Sequence, residues 1–243
     1  MGVSGSIVSL KGYPIRGNTC RPLTASALCA WSRTMSAAQA GTLREGVVSR
    51  ANILAAGGTS TGKTTLTNAL LAEVAKTADR VVIIEDTREL QCAAPNLVAM
   101  RTKDGVASLS DLVRSSLRLR PDRIPVGEVR GPEALDLLRV WGTGHPGGVG
   151  TIHAGSAIGA LRRMEQLIQE AVVTVPRALI AETIDLVAVL SGRGSARRLS
   201  ELARVKGLGP DGDYRVTPAI STPVPGRDGG ADTLIPSPEG ETL

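Results

Sequence analysis

Gly57-Gly58-Thr59-Ser60-Thr61-Gly62-Lys63-Thr64 is the stretch on which the reading of this chain turns. It has the form glycine, four free positions, then Gly-Lys-Thr: a complete Walker A loop. An apolar segment, Asn52-Ile53-Leu54-Ala55-Ala56, precedes it, and a segment with helical character, Lys63 to Thr77, follows. That strand–loop–helix setting is what the motif requires. Gly57, Gly58 and Gly62 let the backbone curl so that successive N–H groups point inward at phosphate oxygens. The helix opening at Lys63 adds the partial positive charge of its N-terminus. Lys63 is expected to reach the β- and γ-phosphates as a point charge, and Thr64 to offer its hydroxyl to Mg²⁺. The candidate nucleotide site is therefore Gly57, Gly58, Thr59, Ser60, Thr61, Gly62, Lys63, Thr64 and Thr65, and the motif implies a nucleotide phosphate with Mg²⁺.

Outward from this loop, apolar runs alternate with amphipathic segments, the signature of an α/β fold with a mostly parallel sheet and crossover helices. Strands are expected at 52–56, 80–85, 97–101, 123–129, 148–153 and 186–190. Helices are expected at 63–77, 108–119, 132–141, 156–170 and 176–181, with a short polar helix between Met35 and Arg50. Ser156 reads as an N-cap, and Ala157, Leu161, Met164 and Ile168 share one face of the helix it opens. Residues 1–35 show neither helical nor strand periodicity and read as an irregular extension. Residues 36–217 read as the folded domain, and 218–243, rich in Gly, Pro and acidic residues, as a disordered acidic tail.

Charge and composition narrow the function. Of the 243 residues, 28 are Lys or Arg and 23 Asp or Glu, giving a net charge of +5 spread as a basic head, a balanced middle and an acidic tail. With two Trp, two Tyr and no Phe, the chain lacks the aromatic platforms of a base-stacking single-strand binder, and no direct nucleic-acid contact is inferred. Cys20, Cys29 and Cys92 have no metal-ligand spacing and cannot all pair, which suits a reducing compartment. No apolar run approaches the ~20 residues of a membrane span. The stretch Leu23–Trp31 is too polar and too deeply placed for an export signal. The chain reads as soluble and cytoplasmic.

Three further segments end in chemistry. Val81-Val82-Ile83-Ile84 runs into Glu85-Asp86, Val126-Gly127 into Glu128, and Val149-Gly150-Thr151-Ile152 into His153. In a parallel sheet these strand ends gather on the edge that carries the phosphate loop. Each alone reads as a solvated strand end; their convergence with Lys63 does not. Glu128 is placed where a carboxylate orients an attacking water, and His153 near a γ-phosphate. His145, within Gly144-His145-Pro146-Gly147, reads as a turn residue.

Taken in order, the Walker A loop, the acidic box Ile84-Glu85-Asp86-Thr87-Arg88-Glu89-Leu90, the run Leu117–Arg123 leading to Val126-Gly127-Glu128-Val129-Arg130-Gly131, and Thr143–Gly148 through Thr151-Ile152-His153-Ala154 resemble the secretion ATPase superfamily. The likeness is strongest to the conjugal-transfer (Trb-type) branch of type IV secretion ATPases, and covers roughly Met35 to Pro218. It implies a RecA-like P-loop NTPase core and ATP hydrolysis powering conjugation. It also implies a homohexameric ring in full-length relatives, peripheral association with the inner membrane, and partners among the other apparatus proteins. By motif match, Lys63 and Thr64 hold phosphate and metal, and Glu85 helps to place metal and water. Glu128 is then the catalytic carboxylate and His153 the γ-phosphate sensor.

Three departures from the family pattern set the alternative. Only about 50 residues precede the phosphate loop, too few for the N-terminal domain that completes the nucleotide pocket in relatives. Pro125 stands where the family has an aliphatic residue, and no Phe is available to stack on adenine. The alternative is thus a truncated nucleotide binder without turnover; on either reading the chain is expected to bind ATP and ADP weakly and to be mainly monomeric or heterogeneous. A pilus or type II secretion ATPase is a further alternative, but three cysteines cannot supply the four-cysteine metal site usual there.

Overall fold

A computed structural model describes residues 34–220; most of the irregular extension and of the acidic tail expected from the sequence lies outside the described residues. Helix α1 (Ala37–Val48) starts at a capping box in which Ser36 and Gln39 satisfy each other's backbone N–H. Strand β1 (Ile53–Gly57) then feeds the phosphate loop and helix α2 (Lys63–Val74). The remaining elements are β2 (Arg80–Glu85), β3 (Asn96–Arg101), α3 (Leu109–Ser116), α4 (Glu133–Gly142), β4 (Val149–Ile152), α5 (Ala157–Gln169), α6 (Arg177–Thr183), β5 (Leu186–Ser191), β6 (Arg198–Leu208) and β7 (Tyr214–Pro218).

Strand β1 is buried at every residue because it lies at the centre of the sheet, parallel to β4 on one side and β5 on the other. Such a strand packs both faces, so it reads as a continuous apolar run. Leu54 and Ala56 face a core shared with α3, α4, α5 and α6, while Ile53 and Ala55 face the core beneath α1 and α2. Helix α5 forms as its spacing predicts. Ser156 Oγ accepts from the Gly159 N–H at 3.0 Å, and Ala157, Leu161, Met164 and Ile168 are all fully buried.

Two findings differ from the sequence reading. The segment 123–129 is not a regular strand. It lies extended between β2 and β4, and its N–H groups alternate in direction. Those of Arg123 and Gly127 donate to Arg80 and Ile84 in β2, and those of Val126 and Val129 donate to Val149 and Thr151 in β4. Pro125 occupies the rung between Arg123 and Gly127 and has no N–H to donate, so the ladder toward β2 is interrupted there. Its carbonyl still accepts from Ile84 at 3.0 Å, which keeps the chain in line. The segment joins β3–β2 to β4–β1–β5 and delivers Glu128 to the strand edge.

The second finding is an antiparallel extension. Strands β6 and β7 add to β5 beyond the parallel part, as a hairpin over Gly209–Asp213. Irregular register in β5–β6 and β6–β7 breaks the period-2 alternation that would have marked these strands.

Candidate functional site

The loop between β1 and α2 is held open by its own residues. Gly57 lies so close to the Leu190 backbone that a Cβ there would sit 2.7 Å from the Leu190 carbonyl oxygen and 2.5 Å from Thr61 Oγ1. Ser60 (φ 63°) and Gly62 (φ 102°) take left-handed backbone conformations, which turns neighbouring amides to one side. Thr61 Oγ1 donates to the Gly58 carbonyl at 2.9 Å and pins the loop. Among the described residues, no backbone N–H from Thr59 to Thr64 has a protein acceptor. Six successive donors at a helix N-terminus, with a lysine beside them, make a cradle for an anion.

Lys63 is buried over most of its length. Its Nζ donates to the carbonyls of Gly57 (3.0 Å) and Gly58 (3.1 Å) and lies 3.4 Å from His153 Nε2. Burial pushes the ammonium below the ordinary lysine pKa; the charge of Glu128 pulls it up, Arg130 lowers it further, and Glu89 raises it.

His153, one residue past β4, also lies 2.9 Å from Glu128 Oε1, and Glu128 Oε2 accepts from Arg130 Nε at 2.7 Å and from Arg130 Nη2. Lys63, His153, Glu128 and Arg130 thus form one contact chain across three neighbouring strand edges. Glu128 Oε1 is buried and accepts no aligned hydrogen bond among the described residues, so His153 approaches it closely without one. The turn that carries Arg130 is set separately: the N–H groups of Arg130 and Gly131 donate to Glu133 Oε1 at 2.7 and 2.9 Å.

The acidic box divides its work. Glu85, at the end of β2, is 3% exposed, and its Oε2 accepts from the N–H groups of Glu89 and Leu90, both at 3.0 Å. It anchors the loop after β2. That loop brings Glu89 back over the phosphate loop, where its Oε2 accepts from Thr64 Oγ1 at 3.0 Å. The carboxylate in contact with Thr64 is therefore Glu89, a residue to which the sequence reading assigned no role. Its four-residue separation from Glu85 is the signal that was available. Asp86 accepts from Thr102 Oγ1 at 2.9 Å. His145 is drawn away from the site, its Nδ1 2.7 Å from the Pro121 carbonyl. Thr59 and Ser60 lie on the exposed rim, and Thr65 is on the first turn of α2.

For Mg²⁺ the donor set is suitable: a hydroxyl at Thr64 with a carboxylate oxygen of Glu89 3.0 Å away. Among the described residues no group of three or more acidic, His or Cys side chains forms a metal cage. Magnesium characteristically uses one or two protein oxygens and completes its shell from substrate phosphates and water.

Comparison with known proteins identifies the family. A family model described as type II/IV secretion system protein matches residues 31–199. The conjugal transfer protein TrbB of Rhizobium radiobacter is 49% identical over 178 residues, covering 72% of this chain and 55% of that protein. The type IV secretion system protein PtlH of Bordetella pertussis is 38% identical over 182 residues, 68% of this chain and 53% of that protein. Among solved structures, the VirB11 ATPase of the Brucella suis type IV secretion system, in complex with sulphate, superposes with a TM-score of 0.64 at 30% identity. That match covers 76% of this chain and 57% of that one. The chain thus spans about half the length of the curated relatives it matches. It belongs to the type II/IV secretion system protein family.

Proposed function

We propose that this chain binds and hydrolyses MgATP as the RecA-like motor core of a conjugative type IV secretion system. The observation that carries the reading is the contact chain Lys63–His153–Glu128 at the mouth of the open amide cradle, 3.4 and 2.9 Å per step. A phosphate seated on the amides of residues 59–64 meets Lys63 on the side where His153 and Glu128 stand. Thr64 and Glu89 would hold Mg²⁺, which would supply charge neutralisation for the phosphate oxygens, while Glu85 fixes the loop that carries Glu89. Lys63 exchanges its two carbonyl partners for phosphate oxygens. Glu128 orients a water for in-line attack on the γ-phosphorus, and His153 reports the terminal phosphate to Glu128. Rate gain comes chiefly from charges held in position before the reaction starts. The sulphate complexed with the Brucella relative has the shape and charge of a phosphate group, which supports an anion-binding role for the shared fold.

Assembly into a ring with other subunits, contact with the secretion apparatus and peripheral membrane association belong to the same proposal. Among the described residues no helix is long and apolar enough to cross a membrane.

Phosphate release measured for wild type and Lys63→Ala, with and without Mg²⁺, tests the reading. Wild-type release should require Mg²⁺ and vanish in the variant; equal release from both proteins would overturn it. Thermal stabilisation by nucleotide without any phosphate release would favour a binder without turnover, the reading to which the interrupted ladder at Pro125 points.

A further inference from the structure

We propose that Arg130, beside the sensor His153, helps to distinguish ATP from ADP by leaving Glu128 for the terminal phosphate; this rests on the nucleotide-binding reading above. Arg130 places both Nε and Nη2 on a single oxygen of Glu128. The carboxylate proposed to orient water is therefore occupied by a cation two residues along the chain. The pair is lopsided: the Arg130 side chain is 65% exposed, against 16% for Glu128. Arg130 also lines a cleft of about 970 Å³ beside the site, with Asp86, Thr102 and Glu133, so its guanidinium has room to swing.

The contact is not needed to build the turn. The backbone around Arg130 is already fixed by Glu133 through the N–H groups of Arg130 and Gly131. What the contact does is occupy Oε2 of Glu128, the oxygen that His153 does not approach. A γ-phosphate entering beside Lys63 brings a second anion close to the same guanidinium. Arginine pairs with phosphate through parallel charge-assisted hydrogen bonds, so the exchange is favourable. Glu128 is then free to accept from water. ADP brings no terminal phosphate to this position, and the Arg130–Glu128 pair stays closed. Release of the water-orienting carboxylate is in this way coupled to the presence of the group to be cleaved.

Binding of Mg-ADP and of a non-hydrolysable Mg-ATP analogue to the whole chain, measured by calorimetry, tests the proposal without requiring turnover. Arg130→Gln should leave ADP affinity within about twofold of wild type while weakening the analogue about tenfold or more, the scale of one charged hydrogen bond. Arg130→Lys should recover part of the loss. Glu128→Gln should tighten the analogue and not ADP, and this gain should disappear in the double variant. An Arg130→Gln protein that binds both nucleotides as wild type does, or loses both equally, would overturn the proposal and leave the nucleotide-binding reading standing. A wild-type chain that binds neither nucleotide would overturn both.

Discussion

Replacing Asp79 by Asn should destabilise the fold by about 3 kcal/mol, although Asp79 lies outside the nucleotide site. Arg123, at the start of the segment that ends in Glu128, is 1% exposed, and its Nε donates to Asp79 Oδ2 at 2.5 Å. Arg50 reaches the other Asp79 oxygen from the surface side. No other side chain among the described residues accepts a hydrogen bond from Arg123. Taking the charge from Asp79 leaves a guanidinium in the interior with no counter-ion, a change that costs about 3–5 kcal/mol in comparable buried pairs. Asn keeps an oxygen acceptor, which sets the lower end for that variant; Asp79→Ala should reach about 4 kcal/mol. With a urea m-value of about 2 kcal/mol/M, the midpoint should fall by about 1.5 M for Asn and about 2 M for Ala. The double replacement Asp79→Leu with Arg123→Met removes both charges and should recover most of the loss, because an apolar pair bears no desolvation penalty.

The pH dependence follows from the same pair. Burial works to raise the Asp79 pKa. The hydrogen bonds from Arg123 and Thr77 and the charges of Arg123 and Arg50 outweigh it and hold the carboxyl below the usual carboxylate value. For a depressed carboxylate, the stabilisation is complete above the unfolded-state pKa, about 3.9, and is lost as pH falls through the lower folded value. The gap between wild type and Asp79→Asn should thus be constant from neutral pH to about 5 and close below about 4. A midpoint shift under about 0.5 M for both single variants at pH 7 would refute the assignment of Arg123 as a buried charge that depends on Asp79.

Two further outcomes are expected. Gly57→Ala forces a methyl group against the Leu190 carbonyl and Thr61 Oγ1, so it should cost about 1–3 kcal/mol in urea unfolding and abolish nucleotide-dependent thermal stabilisation. Tyr214, 2% exposed in β7, has a buried hydroxyl with no well-aligned hydrogen bond among the described residues, although Glu165 and Arg177 lie beside it; burial first, then Glu165, pushes its pKa up. Tyr214→Phe removes that orphan group and should leave the melting temperature unchanged or raise it, whereas a drop of several degrees would reveal a partner for the hydroxyl.

The phosphate loop was legible because its chemistry is local. Gly57, Gly62 and Lys63 are fixed by the path of eight consecutive residues, and the central strand before them is apolar on both faces. The ends of β2 and β4 could be placed for the same reason, since a buried parallel strand is a short apolar run whatever lies beside it. Strands β6 and β7 were not legible. Arg198, Arg204 and Lys206 interleave with Leu199, Leu202 and Val205, and the shift in register at Val189/Leu190 puts the alternation out of phase. The Gly209-Pro210-Asp211-Gly212-Asp213 turn was the remaining clue, a loop sequence that closes a hairpin once two strands flank it.

Carboxylates mark the deeper limit. Glu85, Glu89 and Glu128 are equally acidic as letters, yet their roles diverge with the donors each one meets. Glu85 faces two backbone N–H groups four and five residues ahead and becomes the anchor of a loop. Glu89 is carried by that loop to a hydroxyl twenty-five residues away in sequence. Glu128 meets the histidine of the next strand on one oxygen and its own second neighbour, Arg130, on the other. The contacts of Glu85 with its own loop and of Glu128 with Arg130 are short enough along the chain to be foreseen from spacing. The others depend on the order in which parallel strands are laid side by side, and that order is set by the burial of the whole sheet. Site chemistry in a fold of this kind is therefore readable from sequence for groups held by the backbone that carries them. It is hidden for groups whose partner arrives from another strand.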